Sequence, residues 1–355
     1  MRFRTDRDVL ADAVAWAARG LPVRPPVPVL AGLVIDVADV LALAGFDYEV
    51  SAQATTELET SENGRALVPG RLFADIVRGL PAGPVEVTGD SASVSVAVGG
   101  TTFTLPTLPL EDYPTLPPMP PPTAILDGVA FADAVAKVAS AAGRDETLPM
   151  LTGARLELEA ETLTLVCTDR YRIAVVRMPC RADGPATALV PARTLADAVK
   201  QLRGELTIAL SDGVIGLAGD GRQMTVRPLD DRFIDHRAHF AAEPASRVKA
   251  DTAALIEAVK RVSLVAERNA PIRLTFTTGR VTIETGAAGE ARAVAVLGCV
   301  LEGDDVRTAF NPAFLLDALG AVRSATTRLD FTAAGKRAIV SDDTYRCVLM
   351  PVRLA

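Results

Sequence analysis

The 355-residue sequence has few of the side chains that build metal sites or disulfide frameworks. It contains two histidines, His236 and His239, and four cysteines that lie far apart with no C-x-x-C pair. The cysteines are Cys167, Cys180, Cys299 and Cys347. This pattern argues against a structural zinc site and predicts reduced thiols in a reducing compartment. No metal or other cofactor is expected.

Long apolar runs are also missing. The longest, Ala293 to Leu301, has nine residues, about half of what a membrane-spanning helix needs. The N-terminus alternates charged residues where a secretory signal needs an apolar block. The sequence therefore predicts a soluble, cytoplasmic protein with no membrane partner.

The motifs of common enzyme classes are absent as well. The sequence contains no P-loop, no G-x-G-x-x-G, no H-E-x-x-H and no G-x-S-x-G. Asp235 next to His236 pairs a carboxylate with an imidazole, but neighbours in sequence do not by themselves make a catalytic pair. We therefore expect no enzymatic activity.

Cations are outnumbered by anions, 37 to 44, which gives a net charge of −7. This argues against general coating of nucleic acid, although it leaves room for a basic surface in one place. The composition, 49% apolar and 23% charged, supplies enough material for several cores and excludes a disordered chain. The length suggests two to four domains.

Internal repetition dominates the sequence. The segment Ala66-Leu67-Val68-Pro69 returns 122 residues later as Ala188-Leu189-Val190-Pro191, and again after 121 residues, degraded, as Ala309-Phe310-Asn311-Pro312. A second marker, Ala11-Asp12-Ala13-Val14, recurs as Ala132-Asp133-Ala134-Val135 and loosely at Ile256. Two markers with one period predict three homologous domains. We place them at residues 1–120, 121–244 and 245–355.

Each repeat has the same predicted layout of two helices and alternating strands. The first helices are predicted over residues 6–19, 127–142 and 251–267, each opening with an aspartate suited to capping. The second helices follow the Val-Pro marker, at residues 70–78, 192–202 and 313–322. Period-two alternation between them predicts antiparallel strands. The expected fold class is α+β.

Cations concentrate at or just beyond the C-terminal ends of these helices. They include Arg19, Arg78, Arg144, Lys200, Arg203, Lys260 and Arg261. Such placement complements the helix macrodipole on a solvated surface, and it also suits a phosphate-binding surface. The pattern alone leaves both interpretations open.

Four segments, in order along the threefold repeat, resemble the bacterial sliding clamp family, the beta subunit of DNA polymerase III. They are Arg24–Leu30, Leu148–Gly153, Thr168–Val175 and Val348–Leu354. The resemblance covers nearly the whole chain. It implies a head-to-tail homodimer that closes a six-domain ring with helices around a central hole. It also implies partners: double-stranded DNA bound without sequence preference, the replicative polymerase, the clamp loader and other proteins that carry clamp-binding motifs.

The size of the hole agrees with a dimer. Helices are about 10 Å across, so six in a circle leave a hole of only about 9 Å, while twelve leave about 28 Å. Only the larger hole admits a duplex about 20 Å wide, judged from its groove depths. Two chains, but not one, can therefore encircle DNA.

The resemblance implies three sets of site residues. Arg24 and Arg144 would contact DNA from loops, together with the helix-end cations above. A groove between the second and third domains would bind partner peptides. Its matching positions are Leu151, Thr168, Arg170, Tyr171, Arg172, Ile173, Val348, Met350, Pro351, Val352 and Arg353. We expect Arg172 and Arg353 to steer the peptide, although core packing is an alternative role for the apolar members. The dimer contact would join the edge strand with Phe103 and Leu105 to the corner near Leu264.

The sequence departs from the family pattern at the groove. Ile234 stands where proline is usual, His239 where a small apolar residue is usual, and Val352 replaces a common methionine. Ile234 and His239 are expected to border the pocket and to change its shape and polarity. This suggests a second-copy clamp tolerant of a peptide antibiotic aimed at the pocket, with drift in a housekeeping clamp as the alternative. A ring-shaped scaffold that binds partners without loading on DNA is a further alternative.

Overall fold

The computed structural model describes residues 1–58, 60–211, 213–267, 270–286, 291–332 and 337–352. In the first third of the chain the helices are α1 (Arg7–Ala17) and α2 (Gly70–Gly79). The strands there are β1 (Arg2–Asp6), β2 (Gly32–Val37), β3 (Leu41–Phe46), β4 (Val50–Thr56), β5 (Thr60–Glu62), β6 (Gly64–Pro69), β7 (Pro84–Gly89), β8 (Ser93–Val98) and β9 (Thr101–Pro106).

The middle third has the helices α3 (Gly128–Ala139), α4 (Pro149–Thr152) and α5 (Ala192–Val199). Its strands are β10 (Ala124–Asp127), β11 (Gly153–Glu159), β12 (Thr162–Thr168), β13 (Arg172–Pro179), β14 (Arg181–Ala182), β15 (Ala186–Pro191), β16 (Glu205–Leu210), β17 (Ile215–Gly219) and β18 (Arg222–Val226).

The last third has the helices α6 (Thr252–Ser263) and α7 (Pro312–Ala321). Its strands are β19 (Ser246–Asp251), β20 (Ile272–Thr277), β21 (Arg280–Thr285), β22 (Ala293–Glu302), β23 (Val306–Phe310), β24 (Thr326–Phe331), β25 (Ala338–Ser341) and β26 (Tyr345–Leu349). Short 3-10 turns lie at Ala18–Gly20, Pro28–Ala31, Leu110–Asp112 and Arg237–His239. No helix in the described ranges is long and apolar enough to cross a membrane.

The repeated Val-Pro marker is a strand-to-helix junction. Pro69 ends β6 directly before α2, and Pro191 ends β15 directly before α5. In the degraded third copy, Asn311 caps α7 by accepting a hydrogen bond from the backbone N–H of Ala313 at 2.9 Å. Proline suits the start of a helix because the first backbone N–H groups have no helical partner to lose.

Two of the aspartates predicted to open the first helices do cap them. The Asp6 carboxylate accepts from the N–H of Asp8 at 2.8 Å, and the Asp251 carboxylate accepts from the N–H of Ala254 at 2.7 Å. These bonds satisfy N–H groups that the helix leaves free.

Three helices, α3, α5 and α6, end three or four residues earlier than the sequence predicted. Beyond α3, Ala141 and Ala142 bond to carbonyls three residues back, so the helix tightens into turns. The chain after α5 turns at Gly204, whose φ of +65° favours glycine. At the end of α6, the hydroxyl of Ser263 donates to the carbonyl of Val259 at 2.6 Å. Local hydrogen bonds of this kind compete with helix propagation.

The chain forms two compact units, one of residues 1–129 and 200–228 and the other of residues 130–199 and 229–355. Each unit contains part of the middle repeat, because β-sheets continue from one repeat into the next. In the first unit, eight antiparallel strands run in the order β10-β16-β17-β18-β4-β3-β2-β6. Its second sheet has the order β5-β1-β7-β8-β9, which leaves β9 at the edge.

The second unit has a continuous run of twelve strands in the order β15-β11-β12-β13-β26-β25-β24-β19-β22-β21-β20-β23. Within it β13, from the middle repeat, pairs with β26, from the last repeat. The helices α6 and α7 pack against each other in this unit, as α1 and α2 do in the first. Helices packed with antiparallel sheets confirm the α+β prediction.

Candidate partner-binding pocket, nucleic-acid contacts and subunit edges

The floor of the candidate pocket is built where β13 pairs with β26. Ile173 lies opposite Val348, and Val175 lies opposite Arg346. Five apolar side chains on this face, each at most 8% exposed, form what we call the floor cluster: Val166, Ile173, Val175, Ile339 and Val348. Ile173 and Val348, both predicted from the sequence, are therefore brought together by strands of two different repeats.

The segment between the middle and last repeats lies over the floor cluster. Phe233, Ile234 and Phe240 are partly buried and pack against it. The segment is attached to the middle repeat, because the N–H of Leu229 bonds to the carbonyl of Leu189 at 2.8 Å. The carboxylate of Asp231 also accepts from the N–H of Met150 at 3.1 Å. The linker thus forms one wall of the pocket.

The rim is apolar and open to solvent. Tyr171, Met350 and Val352 are 59%, 48% and 40% exposed, and Pro351 is half-buried. The N–H of Met350 bonds to the carbonyl of Tyr171 at 2.8 Å, which fixes two rim residues relative to each other. Tyr171 also stacks on Phe314, with the ring centroids 5.9 Å apart. A buried apolar floor with an exposed apolar rim suits a side chain that arrives from a partner.

Leu151 and Thr168 are buried within the wall and do not project from it. Leu151, in the short helix α4, is 5% exposed, and its carbonyl accepts from the N–H of Gly143 at 2.6 Å. Thr168 is 2% exposed, and its hydroxyl donates to the carbonyl of Arg172 at 2.8 Å. Both residues shape the pocket by fixing the backbone around it.

Arg172 is held by contacts within the chain, and its predicted steering of a peptide stays a prediction. Its Nε donates to Asp169 at 2.9 Å, one Nη donates to Asp317 at 2.7 Å, and the other donates to the carbonyl of Ser140. The guanidinium also lies over the ring of Phe314, 4.4 Å from its centroid. Burial opposes its charge, but the bonds to Asp317 and Asp169 outweigh burial and raise the pKa of Arg172. With three of its five N–H donors bonded inside the chain, Arg172 braces the pocket wall.

The turn before Arg172 holds the exposed Arg170. The Asp169 carboxylate accepts from the N–H groups of Tyr171 and Arg172, each at 3.1 Å, and Arg170 adopts a φ of +78°. Arg170 is exposed to solvent in this turn. Arg353, the other cation expected at the pocket, lies outside the described residues.

The two unusual residues of the linker have different surroundings. Ile234 packs against the floor cluster, whereas His239 is half-buried at the end of a 3-10 turn and is not among the residues that pack on the cluster. The next residue, Phe240, is the one that packs on the floor. Burial lowers the pKa of His236, with Glu157 acting in the opposite direction. The carboxylate of Asp235 accepts from the backbone N–H of Arg237 at 3.2 Å.

Sequence reasoning missed several pocket residues. Phe240 and Phe233 occur in a segment that has no periodicity, and Val166 and Ile339 look like ordinary strand residues. Phe314 had a usable signal, because it follows the degraded third copy of the Val-Pro marker. Among the residues that the structure describes, no group of three or more His, Cys, Asp or Glu is placed to hold a metal ion.

The predicted DNA-contacting cations are exposed or partly exposed, and most lie near helix ends. Arg24 and Arg144 are exposed in loops, and Arg19, in the turn after α1, lies over the Trp16 ring at 5.6 Å. Lys200 and Arg203 follow α5, and Arg261 is in the last turn of α6. Two others have a carboxylate one turn earlier: Arg78 bonds to Asp75 at 3.1 Å and Lys260 to Glu257 at 2.9 Å. Such pairs reduce the positive charge presented to solvent.

The residues predicted at the subunit edges differ in how far their side chains are exposed. Phe103 is 37% exposed on the edge strand β9, and Leu264 is 84% exposed just after α6. Leu105 is a correction, because its side chain is 1% exposed in the core of its own sheet and only its backbone is available. The sequence missed Val294 and Val296 on β22, which are 53% and 59% exposed. The nine-residue apolar run from Ala293 was the signal for them.

Comparison with known proteins identifies the family. Three models match the chain in order: the N-terminal domain of the DNA polymerase III beta subunit over residues 1–117, its central domain over 126–235 and its C-terminal domain over 238–353. These matches confirm the three homologous domains predicted from the repeats.

Relatives match over the full length. The beta sliding clamp of Streptomyces coelicolor is 48% identical, with 100% of both chains covered. The beta sliding clamp homolog GriR of Streptomyces muensis is 41% identical, with 99% of both covered. A crystal structure of the Pseudomonas aeruginosa sliding clamp bound to griselimycin has 26% identity and a TM-score of 0.93, with full coverage of both chains. The chain therefore belongs to the DNA polymerase III beta-subunit family, the bacterial sliding clamps.

Proposed function

We propose that this chain is a processivity factor that holds the replicative polymerase on DNA by binding a polymerase peptide in the pocket between the second and third domains. Sliding clamps of this family form dimeric rings on DNA and are not enzymes. The observation that carries the proposal is the buried apolar floor of β13 and β26, open at a rim of Tyr171, Met350 and Val352. Methionine at a rim adapts to different side chains, so one pocket can serve several partners.

The helix-end cations supply a contact with DNA that does not depend on sequence. Arginine and lysine attract phosphates whatever the base, which lets a ring translate along the duplex. Because Arg78 and Lys260 are paired with carboxylates, each presents less charge than an isolated cation. A modest attraction of this kind favours sliding, since strong contacts would hold the ring in place.

The dimer edges proposed here are β9 of one subunit and β22 with Leu264 of its partner. β22 pairs with β21 over residues 293–298 and with β19 over residues 299–302, so parts of its edge have no strand beside them in the described chain. Edge pairing would supply main-chain hydrogen bonds, and Phe103, Leu264 and Val296 would pack beside them. Pro106 lacks an N–H donor and limits the length of the pairing.

Placing a charged side chain at this edge tests whether the edge forms the dimer interface. We expect Leu264→Asp and Val296→Asp to convert the dimer to a monomer at micromolar concentration, measured by analytical ultracentrifugation. Val40→Asp, in the turn after β2, is the matched control because Val40 is also an exposed valine. A dimer that survives both edge substitutions would refute this assignment of the interface.

Primer extension tests the tethering function. The double variant Tyr171→Ala/Met350→Ala removes exposed rim contacts without opening the core, and we expect the polymerase to make short products with it. The lifetime on circular DNA of those variant rings that have been loaded is expected to equal that of the wild type. Long products with the double variant would mean that the pocket does not tether the polymerase.

A second candidate is a clamp copy whose altered pocket tolerates a pocket-directed antibiotic. The 41% identity to GriR and the griselimycin-bound P. aeruginosa clamp support it, together with Ile234 against the floor cluster. We expect weak binding of griselimycin, as measured by calorimetry. Ile234→Pro should strengthen it, and His239→Val should strengthen it less, because Ile234 packs against the floor cluster and His239 does not. Tight binding that neither substitution changes would favour a housekeeping clamp whose sequence has drifted.

A further inference from the structure

The face that carries the floor cluster extends in rows across three paired strands. The first row is Thr168, Ile173 and Val348, and the second is Val166, Val175 and Arg346. The third begins with Thr164 opposite Arg177. Rows two residues apart along a strand are separated by about 7 Å. The face therefore changes from apolar to basic over about 14 Å.

A cavity of about 340 Å³ opens at the basic end of these rows. The residues that line it and matter here are Thr164, Val175, Arg177, Phe240, Thr344 and Arg346. Val175 belongs to the floor cluster and Phe240 packs on it, so the cavity adjoins the pocket floor. It includes none of the pocket positions that the family resemblance supplied.

The two arginines of this cavity have no ion-pair partner among the described residues, although Arg346 interacts electrostatically with Asp330. Neither Arg177 nor Arg346 forms an ion pair with a described carboxylate, and both are exposed. Arg346 lies over the ring of Phe240, 4.7 Å from its centroid, which holds its guanidinium at the cavity.

The carboxylates that also line the cavity are already paired with other cations. Glu159 binds Arg237 at 2.6 Å, and Asp343 binds Arg328 at 3.3 Å. Arg177 and Arg346 are therefore the guanidiniums of the lining that have no ion-pair partner among the described residues, and they lie beside an apolar floor.

We propose that Arg177 and Arg346 form a basic subsite that binds an acidic side chain of the partner peptide, two to four residues from its apolar anchor. The spacing follows from the rows, because an extended peptide also advances about 3.4 Å per residue. This inference rests on the peptide-binding function proposed above. Guanidinium–carboxylate pairs at this site add affinity and fix the direction in which the peptide lies.

Fluorescence anisotropy with a labelled clamp-binding peptide of the replicative polymerase tests the subsite. The peptide is made with glutamate, alanine or lysine at the positions two to four residues from the anchor, on each side. Wild-type protein is expected to bind one glutamate form about five- to tenfold more tightly than the alanine form, and the lysine form more weakly. Raising the salt concentration should reduce the difference.

The variant Arg177→Glu/Arg346→Glu is expected to lose the preference for glutamate while binding the alanine form within about twofold of wild type. Arg193→Glu, an equal charge change at an exposed position of α5, should leave the preference intact. Equal binding of the glutamate and alanine forms by the wild type would overturn the subsite and leave the pocket standing. Failure of every form to bind the wild type would instead overturn the pocket itself.

Discussion

The linkers that follow the first and second repeats lie on equivalent sheets, but the clusters on which they pack differ. In the first unit, Leu108, Leu110, Tyr113 and Leu116 pack on a cluster that lies wholly within the first repeat. In the second unit, the linker packs on the floor cluster, which joins β13 of one repeat to β25 and β26 of the next. A cavity of about 390 Å³ at the first linker is lined only by residues of the first repeat and that linker. At the second linker the covered cluster spans two repeats and lies beside the exposed rim of Tyr171, Met350 and Val352.

Strands of neighbouring repeats pair at two junctions, β4 with β18 and β13 with β26, and the residues on these strands explain the difference. Where β18 meets β4, the face on the linker side carries Ser51 opposite Thr225 and Gln53 opposite Gln223. Ser51 and Thr225 are joined by a hydroxyl–hydroxyl bond of 2.6 Å. The corresponding face of β13 and β26 is apolar at Ile173, Val175 and Val348 and becomes basic at Arg177 and Arg346. The first junction thus satisfies its own polar groups, whereas the second offers apolar surface to a partner.

Much of the fold was predictable from the sequence because it depends on local signals. The repeat period, the Val-Pro junctions and the capping aspartates Asp6 and Asp251 are all readable from neighbouring residues. The pairing of β13 with β26 is not, since the two strands lie more than 160 residues apart and no local pattern specifies their partner. For the same reason the sequence did not predict the bond from Arg172 to Asp317, which comes from another repeat.

The largest expected effect concerns Asp169 and Asp47, two aspartates that hold equivalent turns in the second and first repeats. Asp169 accepts two backbone N–H bonds and also binds Arg172, whereas Asp47, one repeat earlier, accepts only the N–H groups of Glu49 and Val50. We expect Asp169→Ala to lower the free energy of unfolding of its unit by about 3 kcal/mol, because it removes a partner from a buried guanidinium. Asp47→Ala should cost about 1 kcal/mol.

Urea denaturation of the two variants measures these losses. Equal losses would mean that the bond to Arg172 contributes nothing and that the two turns have the same role. In that case the bracing of the pocket wall by Arg172 would have to be abandoned.

Matched valines in the two clusters give an intermediate effect. Val348 and Val34 are 1% and 3% exposed, so truncation of either to alanine should cost about 2 kcal/mol through lost burial and a residual cavity. Only Val348→Ala is expected to weaken binding of the polymerase peptide, by about tenfold in calorimetry. If Val34→Ala weakens binding equally, the effect is a general loss of stability and not a property of the pocket.

The smallest expected effect on stability comes from Tyr113, whose phenol lies in the first linker. Burial raises the pKa of Tyr113 to about 12, so the folded state favours the neutral phenol. Its contribution is present below pH 10 and is lost as the pH rises towards 12, because the unfolded chain ionises first. Since the phenol is partly exposed, we expect its contribution to the free energy of unfolding to be about 1 kcal/mol. The second linker packs with phenylalanines and has no such group.

Tyr113→Phe should therefore reduce the loss of stability between pH 10 and 12, as measured by thermal unfolding at several pH values. Tyr345, whose pKa burial also raises, is present in both proteins and does not affect the difference. Identical alkaline profiles for the two proteins would show that the first linker is not buried in solution.

Retention on DNA tests most directly whether this protein works as a ring. The dimer is assembled on a nicked circular duplex with a clamp loader, separated from free protein by gel filtration, and then the DNA is cut once. A clamp that holds DNA by enclosure stays on the circle through high salt and is released after the cut. Release from the intact circle at the same rate as from linear DNA would contradict the account and favour a scaffold that binds partners without loading.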